Sequence, residues 1–481
     1  MASRSRIPHS TVDQRRVRGQ EARNRTPRSS HTGWGPASDR PDPVELLQEQ
    51  NATREPDLVP VRYGRMLVSP FTFYRGAAKL MAADLDGTPT AGLNVQLCGD
   101  AHLSNFGLFA SPERRLLFDL NDFDETLPGP FEYDVKRLAA SLMVAARNNG
   151  FTKADTRAVT RASVTAYRKA MARFATRGTM DIWYAHLAED KVSQVLQDAA
   201  AEAQKTKKGA KAAKRVGKIA RKEAAKARTR DSLQARSKLA ELVSGHYRIV
   251  SQHPIIVPAR DMEATYGIPP DRMERLLREQ FRAYRATLRD DHRQLLERYQ
   301  PVDMARKVVG VGSVGTLAYI VLLQGRDQDD PLFLQLKEAT ASVLEDHLPA
   351  SRYRQHGQRV VAGQRLMQAA SDIYLGWTKA KLPDTHHVYW RQLRDMKGSV
   401  DVETMAPTTL AFYARACGWT LARAHARSGD PIAIAAYLGE GDQFDRAITD
   451  FAGRYADQNE RDYQAFLEAI RSGRLQALQG V

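Results

Sequence analysis

Apolar residues recur along this chain with two periods. In FTFYRGAAKLMAADL the residues Phe71, Phe73, Ala77, Leu80 and Met81 share one side, which predicts a helix. A Gly-Thr-Pro-Thr-Ala-Gly turn follows, and LNVQLC and RRLLFDLND then read as short strands. The loop ETLPGPFEYD leads into DVKRLAASLMVAARNNG, a long helix ended by Asn-Gly, with more helix over roughly 153–200. Across 305–340 the character turns to strand: VVGVGSVGT, the β-rich LAYIVLL, a polar turn and LFLQLKEA. A helix near 357–371 separates these from the strand-like LGWTK and HHVYWRQLRD. From about Pro407 the pattern is helical, with separate segments at 431–438, 442–456 and 459–473.

These patterns predict a mixed α+β protein of two lobes. Residues 1–55, Arg-rich and without apolar periodicity, read as a disordered basic tail. Residues 56–300 form a helical lobe, 301–400 a small β-rich lobe, and 401–481 helices that pack back on the large lobe. No run of 18 apolar residues occurs, so no helical membrane span is expected. The first 25 residues lack the apolar stretch of a secretory signal. Cys98 and Cys417 are the only cysteines, too few for a disulfide framework or a cysteine zinc site, and a reducing cytoplasm fits them.

The net charge of +16 is uneven. Between Lys205 and Lys238 there are 14 basic residues, opposed only by Glu223 and Asp231. This Ala/Lys/Arg segment, 198–240, predicts one or two exposed helices inserted in the large lobe. A solvated insertion explains it; contact with nucleic acid or another polyanion through 205–238 is the sharper reading. No aromatic residue interleaves the charges to stack on bases.

Chemistry concentrates in Cys98-Gly99-Asp100-Ala101-His102-Leu103-Ser104-Asn105, which sets an acid, a histidine and an amide behind a strand. Phosphoryl transfer from ATP needs an acid to orient the attacking hydroxyl and oxygen ligands to hold magnesium against the phosphates. The next strand delivers Asp119-Leu120-Asn121-Asp122-Phe123-Asp124-Glu125, carboxylates suited to a metal contact. A second motif is Gly310-Val311-Gly312-Ser313-Val314-Gly315. Followed by a helix it would be a dinucleotide fingerprint. Followed by LAYIVLL and a strand ending at Lys337, it reads instead as a glycine loop over ATP phosphates with a phosphate-binding lysine.

GDAHLSN, DFDE and the Tyr133-Asp134 pair that opens an apolar helix resemble the catalytic segment of aminoglycoside and choline kinases. That resemblance implies Asp100 as catalytic base, with His102 and Asp134 bracing its loop. It implies Asn105 and Asp122 as magnesium ligands and Asp124 as a second metal contact. Asp119 competes with Asp122, which is preferred because Phe123 follows it. The glycine loop and Lys337 come about 200 residues after the catalytic loop, so the implied fold is a circularly permuted kinase-like one. FYRGAAKLMAADL, VQLCGDAHLSNFG, FDLNDFDETLPGPFEYDVKRLAASL, VVGVGSVGT, LQLKEA, GQRLMQAASD and LARAHARSGD resemble the bacterial family called domain of unknown function 2252, over about 45–470. One departure from the kinase pattern stands out. No Glu lies at the usual distance to pair with Lys337, only Glu345 nearby and Gln358, Gln364 and Gln368 on the next helix.

The expected function is ATP- and magnesium-dependent phosphoryl transfer to a hydroxyl of a small-molecule acceptor. The alternatives are a nucleotide-binding regulatory protein, a nucleotidyl transferase using the same cleft, and a dinucleotide-binding oxidoreductase. Among other residues, His425 and Arg423 read as structural. Arg391, Arg394, Asp395 and Lys397 line the nucleotide site or face water. Arg75 is expected to pair with a buried acid, and Trp377 and Trp390 to lie in the core.

Overall fold

The computed structural model describes residues 10–188, 217–218, 221–263, 267, 269–381, 385–393, 395–398 and 400–480, and these form a mixed α+β fold. Helices α1 (Val12–Arg25), α2 (Pro43–Asn51) and α3 (Val59–Met66) precede a broken pair, α4 (Pro70–Gly76) and α5 (Ala78–Leu85). The sequence predicts one helix here. The break falls at Ala77, because the Arg62 guanidinium takes the Gly76 carbonyl (2.6 Å) that a continuous helix would use. Strands β1 (Asn94–Leu97), β2 (Phe106–Ala110), β3 (Leu116–Leu120) and β4 (Leu127–Pro130) follow. β1 pairs with β4, and β3 runs between β2 and the short β5 (Leu187–Ala188). Helix α6 (Phe131–Asn148) is buried on nearly every face, against α7 (Lys153–Phe174) and the helices Pro407–Ser428 and Gln443–Arg471. α8 (Thr179–Tyr184) then leads to β5.

The second body is built on an antiparallel sheet. A small hairpin of β6 (Ala240–Val243) and β7 (His246–Ile249) precedes β8 (Ile256–Pro258), β9 (Gln300–Lys307), β10 (Ala318–Gln324), β11 (Pro331–Glu338), β12 (Gly376–Lys381) and β13 (Thr385–Gln392). The last six form one sheet in the order β12-β13-β11-β10-β9-β8. Its period-two alternation is visible in the cores it makes. Tyr319, Val321 and Leu323 face a core shared with the helix Pro270–Arg285. Ile320 and Leu322 face the opposite one, shared with Leu239 and Ile249. On β11 the same parity turns Leu334 and Leu336 one way and sends Phe333, Gln335 and Lys337 the other.

Three expectations are corrected. Residues 10–55 are no tail: His31, Val44 and Leu47 are buried, and α1 packs on the helix Pro431–Leu438. Arg23 Nε and Arg28 Nη1 donate to the Tyr437 and Leu438 carbonyls (2.9 and 2.6 Å), capping that helix, so these arginines are structural rather than solvated. The β-rich body begins before residue 301, since β8 and the helices Pro270–Arg285 and Asp290–Leu296 supply its core. The C-terminal helix Gln443–Arg471 is continuous rather than broken at 457–458. There Gln458, Asn459 and Asp462 are buried but bonded, Asp462 to Arg40 (2.7 Å) and Asn459 to the Pro70 carbonyl (3.1 Å). Of the basic segment, 198–216 and 219–220 lie outside the described residues. Of its described residues, 217–218, 221–228 and Ser232–Leu239 are helical. No helix of the described residues is long and apolar enough to cross a membrane.

A Cβ added to Gly19 would lie 2.1 Å from the Ala433 carbonyl oxygen. Gly19→Leu therefore detaches α1, and limited trypsin digestion is expected to cut residues 14–25 rapidly in the variant and slowly in the parent protein. Equal cutting rates would mean that α1 does not hold its place in solution.

Candidate functional site

β1 ends against the 122–125 loop, and Gly99 makes the turn with φ +85°. A Cβ there would sit 2.1 Å from the Glu125 carbonyl oxygen, so only glycine fits. Asp134, in the first turn of α6, accepts hydrogen bonds from the Cys98 and Gly99 amides (2.8 and 3.0 Å). Its carboxylate also meets His425 Nε2 (3.1 Å), whose Nδ1 lies 2.8 Å from the Tyr167 hydroxyl. This network orients the Asp100 loop, as expected of Asp134, and gives His425 its structural place.

Asp100 itself faces Arg137, one turn further along α6, with Nε at 2.7 Å. Burial would raise the Asp100 carboxyl, but the Arg137 charge outweighs it and holds the group below the usual carboxylate range. His102 lies 3.7 Å from the Asp100 carboxylate, and burial lowers it to about 3, so the ring is neutral at neutral pH. Its buried Nδ1 has no partner among the described residues. Asn105 Nδ2 donates to the Asp100 carbonyl (2.6 Å), tying the two ends of the loop together.

β3 separates the acids of DLNDFDE. Asp119 is buried against the Arg423 guanidinium and accepts the Ala369 amide (2.8 Å). It therefore braces the fold and leaves the cleft to Asp122 and Asp124. Lys337 Nζ reaches across from the sheet to Asp124 (2.5 Å) and Asp122 (3.7 Å). Tyr389, opposite Lys337 on β13, donates to the other Asp124 oxygen (2.7 Å). Burial opposes ionisation of Asp124, yet Lys337 holds it below its ordinary range. Burial and the Asp124 charge instead raise Asp122, whose buried Oδ1 has no partner among the described residues. On the helix His356–Met367, Arg359 donates to the Asp124 and Thr126 carbonyls (both 2.7 Å), fixing the loop.

Among the described residues no glutamate or glutamine is paired with Lys337. Glu345 accepts the Ser342 and Ser351 amides (both 3.1 Å), Gln364 bonds Gln368, and Gln368 bonds the Leu120 carbonyl. The acid comes from Asp124 instead.

The loop 308–317 joins antiparallel β9 and β10, not a strand to a helix, so the context of a dinucleotide fingerprint is missing. Gly310 and Gly315 have positive φ (+67° and +87°). Arg65 and Arg54 hold the carbonyls of Gly310 and Val314 (2.6 and 2.5 Å), and the Glu55 amide holds that of Gly315 (2.8 Å). Among the described residues the amides of Val311, Gly312 and Ser313 donate to nothing. Ser313 Oγ lies 3.5 Å from Asp124.

These parts enclose one cavity of about 120 Å³, lined by Asp100, His102, Asn105, Asp122, Asp124 and the glycine loop. Sequence reasoning missed Arg137, Tyr389, Arg359 and Arg54; a charge within the apolar α6 was the available sign of Arg137. Arg75, expected to pair with a buried acid, lines this cavity instead, and its Nε has no partner among the described residues. Arg391 bonds Gln335 Oε1 (2.9 Å) and the Asn121 carbonyl (3.3 Å) beside the cluster. Asp395 pairs with Arg114 at 2.5 Å, and residue 394 lies outside the described residues. Trp390 is core, stacked on Tyr284, while Trp377 is half-buried. Among the described residues no three His, Cys, Asp or Glu side chains cluster closely enough to hold a metal by themselves.

A family model described as an uncharacterized protein conserved in bacteria, DUF2252, matches residues 54–469, close to the span the sequence motifs suggested. No curated protein and no solved structure matches the chain.

Two outcomes follow from this geometry. Lys337→Met leaves two uncompensated carboxylates and is expected to cost about 3–5 kcal/mol by chemical denaturation. The double variant with Asp124→Asn should recover part of that loss; strict additivity would mean that the pair does not interact. Burial also pushes the Glu125 carboxyl up to about 7 from 4.5. In this window the folded state keeps a proton that the unfolded chain releases, so stability falls as pH rises from 4.5 to about 7. Glu125→Gln should flatten that part of a melting-temperature profile, and an unchanged slope would contradict the assignment.

Proposed function

The chain belongs to the bacterial family DUF2252, and we propose that it is an ATP- and magnesium-dependent phosphotransferase of permuted kinase-like architecture. Its acceptor is a hydroxyl on a small molecule. The observation that carries this reading is convergence. An Asp/Asn loop, a two-carboxylate loop, a glycine loop and a strand lysine, from segments some 200 residues apart, line or border one cavity. A glycine loop between the first strands of a sheet, with a lysine on the next strand, is the phosphate-holding arrangement of kinases. The order β9, loop, β10, β11 with Lys337 matches it. The free amides of Val311, Gly312 and Ser313 suit phosphate oxygens.

The oxygen donors fit magnesium. That ion takes one or two carboxylates, completed by water and substrate phosphates. Asp122, with its unpartnered Oδ1, and Asp124 would hold it, with Asn105 at the cavity wall. When bound, it would supply positive charge against the phosphate oxygens. Asp100 accepts a hydrogen bond from the acceptor hydroxyl and aims its oxygen at the γ-phosphorus. As the new O–P bond forms, the bond from phosphorus to the departing ADP breaks and the hydroxyl proton passes to Asp100. Because Arg137 keeps this carboxylate a weak base, its main work is orientation, which a loose phosphoryl transition state requires more than deprotonation. Arg75, which lines the same cavity near Asp100, offers positive charge there. The enclosed 120 Å³ is smaller than the ~300–1,000 Å³ of typical ligand sites, so ATP entry needs the glycine loop to lift.

A second reading, nucleotide binding without turnover, is favoured by one observation: Lys337 is engaged by Asp124 and has no glutamate partner among the described residues. Asp100→Asn separates the two. We expect ATPase turnover to fall roughly 10²–10⁴-fold with ATP affinity little changed. Unchanged turnover would remove Asp100 from the mechanism, absence of turnover in the parent protein would favour the binding reading, and AMP as product would replace phosphoryl by nucleotidyl transfer.

A further inference from the structure

α7 and the helices Pro407–Ser428 and Gln443–Arg471 enclose a groove of about 700 Å³ that shares no lining residue with the cavity at Asp100. Its floor is rich in alanine from α7. Its walls carry Arg157, Arg161, Lys169, Arg173, Arg415 and Arg446, and no Asp or Glu among the described residues lines it. An exposed helix face usually interleaves opposite charges four residues apart. Here Arg157 and Arg161, then Lys169 and Arg173, repeat one sign at that spacing along roughly 24 Å of helix. Trp419, half-buried and packed against Phe174, adds an aromatic surface to the same wall.

Asp445, buried and paired with Arg168, accepts the hydroxyl of the lining Thr165 (2.8 Å), and other acids among the described residues stand at the rim. Asp450 meets Arg157 (2.6 Å), and Asp442 meets Arg161 and Arg446 (3.3 Å to Arg446). These rim pairs are solvent-exposed, of the kind that contribute little and exchange readily for a better anion. Five of the six cations are arginines, whose planar fork fits phosphate oxygens. A small-residue floor lets a chain lie close to α7. Only a chain with a charge on every unit uses a strip this regular, and a base needs a stacking surface, which Trp419 offers.

We infer that this groove binds single-stranded nucleic acid, its phosphates on the α7 arginine and lysine strip and one base against Trp419. None of the described residues of the basic segment 205–238 lines it.

The test is fluorescence anisotropy of a labelled oligouridine of about 20 nucleotides, longer than the usual site size, titrated with the full chain at several salt concentrations. Binding should weaken with salt. Lys169→Glu/Arg173→Glu, both at the surface, should weaken it at least about tenfold and reduce the log–log salt slope by about 1.4, the share of two phosphates on a single strand. Trp419→Leu should weaken oligouridine but leave competition by inorganic polyphosphate unchanged. No binding, or unchanged affinity and slope in the double variant, would overturn the proposal. So would polyglutamate competing as well as the oligonucleotide, which would make the groove an acidic-protein site. Circular dichroism of each variant separates lost binding from lost folding.

Discussion

A lysine ammonium withdrawn from water must find a carboxylate, and Lys337, whose side chain is 2% exposed, finds Asp124 and Asp122. The two partners lie 213 residues apart and on different bodies, Lys337 in the β-sheet and Asp124 on the loop after β3. Satisfying that one charge therefore fixes the sheet against the helical body. It also fixes the glycine loop, because β9, β10 and β11 are consecutive strands of the same sheet. The cavity at the junction is a consequence of this constraint. Tyr389 and Arg359 reinforce it, one on the Asp124 carboxylate and one on its carbonyl.

The remaining acids are sorted by their partners. Asp119 is spent on Arg423, Asp134 on two amides and His425, and Asp100 on Arg137. Each of the first two is closed off from the cavity, while Asp100 keeps a face toward it. Three buried side-chain atoms without a partner among the described residues belong to residues that line this cavity: the Asp122 Oδ1, the His102 Nδ1 and the Arg75 Nε. Others lie elsewhere in the fold, Glu132 Oε2 and Gln280 Nε2 among them. Three such atoms around one cavity suit a site completed by a polar ligand.

Much of this was legible in the chain. The strands LNVQLC and RRLLFDLND, the β10–β11 hairpin and the helix after Tyr133 follow directly from alternation, turn residues and apolar period, while β2 and β4 between them were not read. The gathering of Asp100, Asn105, Asp122 and the glycine loop around one cavity, with Lys337 beside it, was readable because each motif resembles a part of one kinase-like site. The N-terminal 55 residues misled because their packing rests on arginines. Arg23, Arg28 and Arg40 bury their heads on carbonyls or carboxylates, a use that composition cannot tell from a solvated tail. Ala77 was similarly invisible, since the helix break depends on Arg62 arriving from α3. The partner of Lys337 was sought on the following helix, where a kinase supplies a glutamate. No local pattern told that Asp124, rather than a distant Glu, would take the charge. The α7 groove was equally hidden, because its six cations come from three helices far apart in sequence.

The most direct test of the account is calorimetric titration of the purified full chain with ATP, with and without magnesium, beside a nicotinamide dinucleotide. The account predicts ATP binding that strengthens with magnesium and is lost in Lys337→Ala, with no binding of the dinucleotide. ATP binding that is absent, or that ignores both magnesium and Lys337, would mean that the glycine loop and the carboxylate loops meet at one cavity without forming a nucleotide site.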